Sequence, residues 1–145
     1  MDNILVGVDG SQDSIEALRW AIDEARFRGA SVHVLHAYRT EYIYYPAIAP
    51  ITIDQRDIET AAAQAMERVL AEVDVPVGVE VELELINSAN PAAELAARSA
   101  DFDLVVVGSR GLSAFSSALV GSVSQKVAQH AQCPVVILPP SSDAE

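Results

Sequence analysis

Cysteine and lysine each occur once among the 145 residues, as Cys133 and Lys126, and each scarcity removes a class of protein. A lone cysteine closes no internal disulfide and supplies no cysteine-rich metal centre, so the fold must stand on its hydrophobic core. Half of the residues are hydrophobic, enough at this length for one domain with a substantial core. Basic residues number 9 against 21 acidic ones, for a formal net charge of -12. That balance excludes sequence-independent binding to nucleic acid or to an anionic membrane surface, both of which rest on clustered Lys and Arg. No apolar run approaches the ~20 residues that a membrane helix requires. Met1-Asp2-Asn3 enters an apolar strand directly, without the basic stretch that opens a signal peptide, so a soluble cytoplasmic protein is expected.

What is present alternates between two periods. Residues 4–8 and 104–107 are short continuous apolar runs, the pattern of strands buried on both faces, and 32–37 and 134–138 read as further strands. Ile15, Leu18, Ile22 and Ala25 recur at helical spacing, with Ser11 or Asp13 as the cap and Gly29 as the exit. Trp20 and Phe27, off the centre of that stripe, are read as packing residues. A second helix is predicted over 54–73, with Ile58, Ala62, Ala65, Met66, Val69 and Val73 on one face. Val77, Val79, Val81, Leu83 and Leu85 alternate with Gly78, Glu80, Glu82 and Glu84, giving a strand with one acidic face that belongs at a sheet edge. Glutamates two apart on a strand form a solvated face more readily than a metal site. Asn90-Pro91 is a cap followed by proline at the first helical position, opening a third helix to residue 100, and residues 122–130 form a fourth. Cys133, beside Pro134 at the start of the last strand, reads as inert packing. Residues 1–138 form the predicted domain and 139–145 a polar tail. Five strands alternating with four helices imply an α/β fold, a parallel sheet covered on both faces.

The chemistry concentrates after the fourth strand. Val107 leads into Gly108, then two residues to Gly111 and nine more to Gly121-Ser122, where a helix begins. Glycines let the backbone approach a ligand, and the first amides of a helix lack partners within it and carry partial positive charge. Ser109, Ser113, Ser116, Ser117 and Ser122 add hydroxyls, and Arg110 adds the one fixed positive charge inside the loop. The pattern describes an anion site. A Walker loop needs Gly-Lys and a hydroxyl residue after four intervening positions, whereas Lys126 stands five residues beyond Gly121. A dinucleotide fingerprint needs G-x-G-x-x-G after the first strand, which here ends Gly7-Val8-Asp9-Gly10-Ser11.

The spacing G-x2-G-x9-G-[ST] at Gly108, Gly111, Gly121 and Ser122 resembles the nucleotide-binding members of the universal stress protein family. The likeness extends over nearly the whole chain. Ile4-Leu5-Val6-Gly7-Val8-Asp9-Gly10-Ser11 is similar to the family's opening strand, and residues 123–127 and 133–137 to its closing helix and strand. The resemblance implies a single-domain, open five-stranded parallel sheet in the order 3-2-1-4-5, Rossmann-like, binding an adenine nucleotide. In that order the first and fourth strands are neighbours whose connections diverge, and ligands of open α/β sheets bind at such switch points. Asp9 ends one of those strands and Gly108 the other.

By the same resemblance Gly7 and Asp9 lie beside the nucleotide, and Ala37, ending the second strand, offers backbone groups to adenine. Val107, Gly108, Ser109, Arg110 and Gly111 wrap the ribose and inner phosphates, while Gly121, Ser122 and Val123 present amides to the outer ones. Asp9 accepts from ribose or base, or helps hold a Mg²⁺ or Mn²⁺ on the phosphates; as a plain turn residue in Asp9-Gly10-Ser11 it does neither. His36, beside Ala37, is the one histidine placed to touch a ligand, and Tyr42, Tyr44 and Tyr45 form either a lid or an exposed loop. The expected cofactor is ATP with Mg²⁺ or Mn²⁺, and cyclic AMP or AMP remains open. No second carboxylate stands ready to orient a nucleophile, so ATP hydrolysis is expected to be slow at most. A receiver-like phospho-switch would need paired acids after the first strand, an aspartate ending the third and a lysine ending the fifth; Asp9-Gly10, Asn87 and Pro139 stand there instead. The apolar fifth strand, Val135, Val136, Ile137 and Leu138, lies at an edge in this order, which predicts a homodimer through it. A ligand-independent dimeric interaction module is the alternative from another class.

Overall fold

The computed structural model describes residues 2–39, 54–110 and 121–140. Gly111, Ser113, Ser116, Ser117, the three tyrosines at 42, 44 and 45, and residues 141–145 of the expected tail lie outside that set. Along the chain run β1 (Asn3–Gly7), α1 (Gln12–Arg28), β2 (Ser31–Tyr38), α2 (Gln55–Glu72), β3 (Val81–Asn87), α3 (Pro91–Arg98), β4 (Leu104–Gly108), α4 (Ser122–His130) and β5 (Val135–Leu138), with a short 3₁₀ turn (Ser99–Asp101) after α3. The sheet order is β3-β2-β1-β4-β5 with every pairing parallel. β1 and β4 are adjacent in the register Ile4↔Leu104, Leu5↔Val105, Val6↔Val106.

Alternate side chains of the central strands feed two cores. Ile4, Val6, Val32, Val34, Leu104 and Val106 pack with Ile15, Leu18 and Ile22 of α1 and Met66 and Val69 of α2. Leu5, Leu35, Val105 and Val107 turn the other way, to Ala92 and Leu95 of α3 and Val127 of α4. Helices therefore cover both faces, as the continuous apolar runs require.

Local chemistry sets the helix ends. Ser11 caps α1, its side chain accepting from the Ser14 N–H, and Gly29 closes the helix in the left-handed region at φ 66°. Asp54 and Asn90 cap α2 and α3 in the same way. Asp13, the alternative cap, instead lies buried in the first turn of α1.

Two expectations need correction. Phe27 is not a packing residue: it is 82% exposed, with the Arg26 guanidinium 6.0 Å from its ring centre, while Trp20 does pack against the larger core. β3 begins only at Val81, because Gly78 takes φ 97° and turns the chain, which leaves Val77 fully exposed. Cys133 is partly buried against the smaller core, and burial, then the Asp103 carboxylate, pushes its thiol above the ordinary 9.0, away from thiolate reactivity.

The acidic face of β3 is more than a solvated row. Glu84 accepts from the Arg98 guanidinium of α3 and lies 2.9 Å from Nε2 of His33, whose ring packs against Phe102 at 5.4 Å. Arg98, and after it His33, holds the Glu84 carboxyl below its ordinary 4.5. A depressed carboxyl pKa means that the unfolded chain binds the extra proton. The contribution to stability is present above about pH 4.5 and is lost as pH falls through the folded value. Glu84→Gln is expected to lower the urea midpoint near neutral pH, with the gap to wild type closing as pH falls below 4.5; a gap independent of pH would show that the charge of the carboxylate contributes nothing.

Candidate functional site

The crevice at the carboxyl ends of β1 and β4 is assembled from three segments. The first is the turn after β1. Asp9 Oδ1 accepts from the Ser11 N–H at 2.9 Å, and the Asp9 N–H donates to Ser14 Oγ at 3.3 Å, so the aspartate does organise the Asp9-Gly10-Ser11 turn. A carboxylate oxygen has further lone pairs, and the turn role does not exhaust it as an acceptor. The Val8 N–H donates to the Leu35 carbonyl, and the Val8 carbonyl accepts from His36 Nδ1 at 2.7 Å, which fastens β1's exit to β2. His36 thus has a structural partner that its position in sequence did not disclose.

The second segment is the end of β4. Gly108 has no room for a side chain: an added Cβ would sit 2.9 Å from the Asp13 carbonyl oxygen and 3.0 Å from its carbon. Backbone atoms there cannot swing aside, so the glycine lets β4 and the first turn of α1 touch. Asp13 Oδ2 then meets Arg110 Nε at 3.3 Å, both side chains largely buried. The charge that the loop brings is thereby tied to α1. Ser109 is 3% exposed, and its Oγ has no hydrogen-bond partner among the described residues. Buried hydroxyls are rarely left so.

The third segment is the start of α4. The Gly121 N–H donates to the Ser109 carbonyl, and a Cβ on Gly121 would lie 2.9 Å from that oxygen. Buried Ser124 shares its hydroxyl between the Ser109 carbonyl at 3.2 Å and the Gly121 carbonyl at 3.0 Å, fixing loop exit to loop entry. Unlike α1, α2 and α3, helix α4 has no side-chain cap at its N-terminus. Its first amides remain available to an outside acceptor.

The structure therefore brings Asp9, Gly108, Ser109, Arg110, Gly121, Ser122 and Val123 to one end of the sheet. Ala37 lines a cavity of about 440 Å³ together with Ser122 and Val123, within the ~300–1,000 Å³ typical of small-molecule sites. Two residues have structural reasons for their identity. A Cβ on Gly7 would reach 2.8 Å from Leu95 Cδ1, so a side chain there would have to displace that methyl group of α3, and the Val107 side chain is core. Sequence reading missed Asp13, Ser14 and Ser124 as struts. The available signal was small polar residues interrupting apolar helical stripes in first turns. No group of three or more metal-ligating side chains occurs among the described residues, and no helix among them is long and apolar enough to cross a membrane.

This geometry agrees with what comparison with known proteins finds. The model of the universal stress protein family matches residues 1–139. The chain belongs to the universal stress protein family. A family member from Mycobacterium tuberculosis strain H37Rv is 37% identical over 138 residues, covering 95% of this chain and 48% of the relative. A Thermus aquaticus member is 37% identical over 139 residues, covering 93% of this chain and 96% of the relative. The chain spans about half the length of the mycobacterial relatives it matches. Among solved structures, UspA from Lactobacillus plantarum superposes with a TM-score of 0.70 at 26% identity, over 94% of this chain and 97% of that one. A universal stress protein in complex with cAMP superposes at 0.65 and 24% identity, over 97% and 98%. The family order 3-2-1-4-5 is the order found here.

Proposed function

We propose that this universal stress protein binds an adenine nucleotide, ATP with Mg²⁺ or Mn²⁺, in the crevice between Asp9 and the Gly108 and Gly121 turns. ATP occupancy, read by a protein partner in the cytoplasm, is then its regulatory output. The observation that carries the reading is a helix start without a side-chain cap beside the buried Ser109 hydroxyl, which has no partner among the described residues. An anion satisfies both. Proteins of the same fold have been solved with cAMP, dAMP and AMP, at 24%, 24% and 22% identity. At that distance they attest the fold, and the ligand reading rests on this chain's own residues. Asp9 is the carboxylate placed for ribose or for the cation, which in this reading is held chiefly by the phosphates.

Mass spectrometry of small molecules released from the purified, denatured protein, with calorimetric titration of ATP·Mg²⁺, AMP and cyclic AMP, tests the assignment. Co-purified or saturably bound ATP supports it; the absence of every nucleotide would make the glycine loop purely structural. Turnover in steady state should stay far below the order of 1 s⁻¹ seen in working enzymes.

The same reading includes a homodimer through β5. That strand is an edge of the sheet, and its four residues, Val135 to Leu138, are all only partly buried. Unpaired apolar edges are normally covered. Val136→Lys is expected to sediment as a monomer that still melts cooperatively; a folded variant that stays dimeric would put the interface elsewhere.

A further inference from the structure

Three large hydrophobic side chains stand exposed among the described residues, Phe27, Val75 and Val77, and all belong to the end of the sheet opposite the crevice. Phe27 lies in the last turn of α1, where Gly29 hands the chain to β2, and the two valines lie in the α2–β3 connection. Strand pairing brings these segments together. The Val32 N–H donates to the Glu80 carbonyl at 2.8 Å and Val32 pairs with Val81, so both segments run into the same ladder. Beneath them Ala25, Ala30 and Val73 share the larger core. Residues 40–53, 111–120 and 141–145 follow the carboxyl ends of β2, β4 and β5, at the other end of the sheet.

Neither segment is slack. The Val79 N–H donates to the Pro76 carbonyl at 3.2 Å, and Gly78 takes φ 97° in the third position of that turn, as a type II turn requires. Val77, in the second position, is thereby held out in solvent. Phe27 is presented by the helix, with the Arg26 guanidinium beside its ring. Charge divides between the two segments. The last turn of α1 carries Arg26 and Arg28 and no acid, whereas residues 74–80 carry Asp74 and Glu80 and no base. Glu24 engages Arg28, and Asp23 stands one turn before Phe27, so Arg26 is the cation left for another molecule. No ion pair among the described residues occupies Arg26, Asp74 or Glu80.

We infer that this end of the molecule docks on the same end of a second copy about a two-fold axis, with Phe27 and Arg26 of one protomer against Val77, Asp74 and Glu80 of the other. A two-fold contact is isologous, so a single patch has to carry both halves of every complement. This patch does: an aromatic ring with a cation in one segment, a projecting valine with carboxylates in the next. A partner of different chemistry would call for only one of the halves. The contact is separate from β5 and independent of any nucleotide. Three apolar side chains from each protomer make less than a standard interface, so the association is weak, with a dissociation constant on the order of 100 μM.

Sedimentation velocity from about 10 μM to about 1 mM tests this, in wild type and in Val136→Lys, which separates the contact from β5. A doubling of mass toward the upper end is expected in both proteins, and Val77→Asp should weaken it roughly tenfold or more. Arg26→Glu should lose self-association, and so should Asp74→Lys/Glu80→Lys, because each variant sets like charges against each other. An equimolar mixture of those two variants should associate as wild type does, since acid then meets base at both halves of the contact. All four residues are exposed, and a thermal melt verifies folding. A constant mass over the whole range would overturn the inference, as would an association that Val77→Asp leaves unchanged or that Val136→Lys abolishes. Charge variants that each associate like wild type, or a mixture that stays dissociated, would equally overturn the two-fold contact.

Discussion

Gly121→Val is expected to lower ATP affinity by roughly 100-fold, the loss of more than one charge-assisted amide contact, while the far-ultraviolet circular dichroism stays native. The reason is contact, not conformation. Gly121 has φ -72° and ψ 166°, open to any residue. Its Cα hydrogens face the Ser109 carbonyl, where a Cβ would stand at 2.9 Å, with the Arg110 Cα next at 3.5 Å. A β-branched side chain pushes the start of α4 away from Ser109 and breaks the hydrogen bond that joins them, together with the Ser124 strut. The amides proposed to hold one phosphate then miss it. Calorimetry measures the loss, and Gly121→Ala should fall between the two. Unchanged affinity in a folded Val variant would show that α4's first turn is not the phosphate cradle.

Asp13→Asn is expected to move stability and affinity in opposite directions. Asp13 and Arg110 are 9% and 17% exposed and 3.3 Å apart. Removing the carboxylate's charge leaves a mostly buried guanidinium without its counter-ion, for a loss of about 1–3 kcal/mol, below the range for a fully buried pair. The same change releases Arg110 toward the crevice and removes a negative charge beside the proposed anion site, so ATP should bind about three- to tenfold more tightly. Urea denaturation and calorimetry on one preparation give both quantities. A parallel fall in affinity would mean that Asp13 positions Arg110 for the ligand and does not compete for it.

Much of the frame was legible because its signals are local. Continuous apolar runs mark strands buried on both faces, and Ser11, Asp54, Asn90 and Gly29 end helices through bonds to residues within four positions of themselves. β3's acidic alternation placed it at the edge, where it stands. Phe27 was misread because a helical stripe ranks residues by angle and says nothing of what lies opposite. It points about 200° round the helix from buried Ala25, onto a side of α1 where it is left exposed. Val77 continued an alternating pattern that Gly78 interrupts.

The site divides along the same line. Glycine spacing and the Asp9 turn are readable because they specify a local backbone path, and the chain's composition determined alone that any anion affinity must be a local feature of a molecule with net charge -12. Tertiary structure decided which groups meet there. Asp13 and Arg110 are 97 residues apart, His36 reaches Val8 across 28, and Ala37 and Ser122 line one cavity from β2 and α4. None of these meetings follows from periodicity, because each depends on which strands neighbour each other in the 3-2-1-4-5 order and on the register between them. A repeat in the sequence states which face of an element is apolar; only packing states what that face, or its end, will touch.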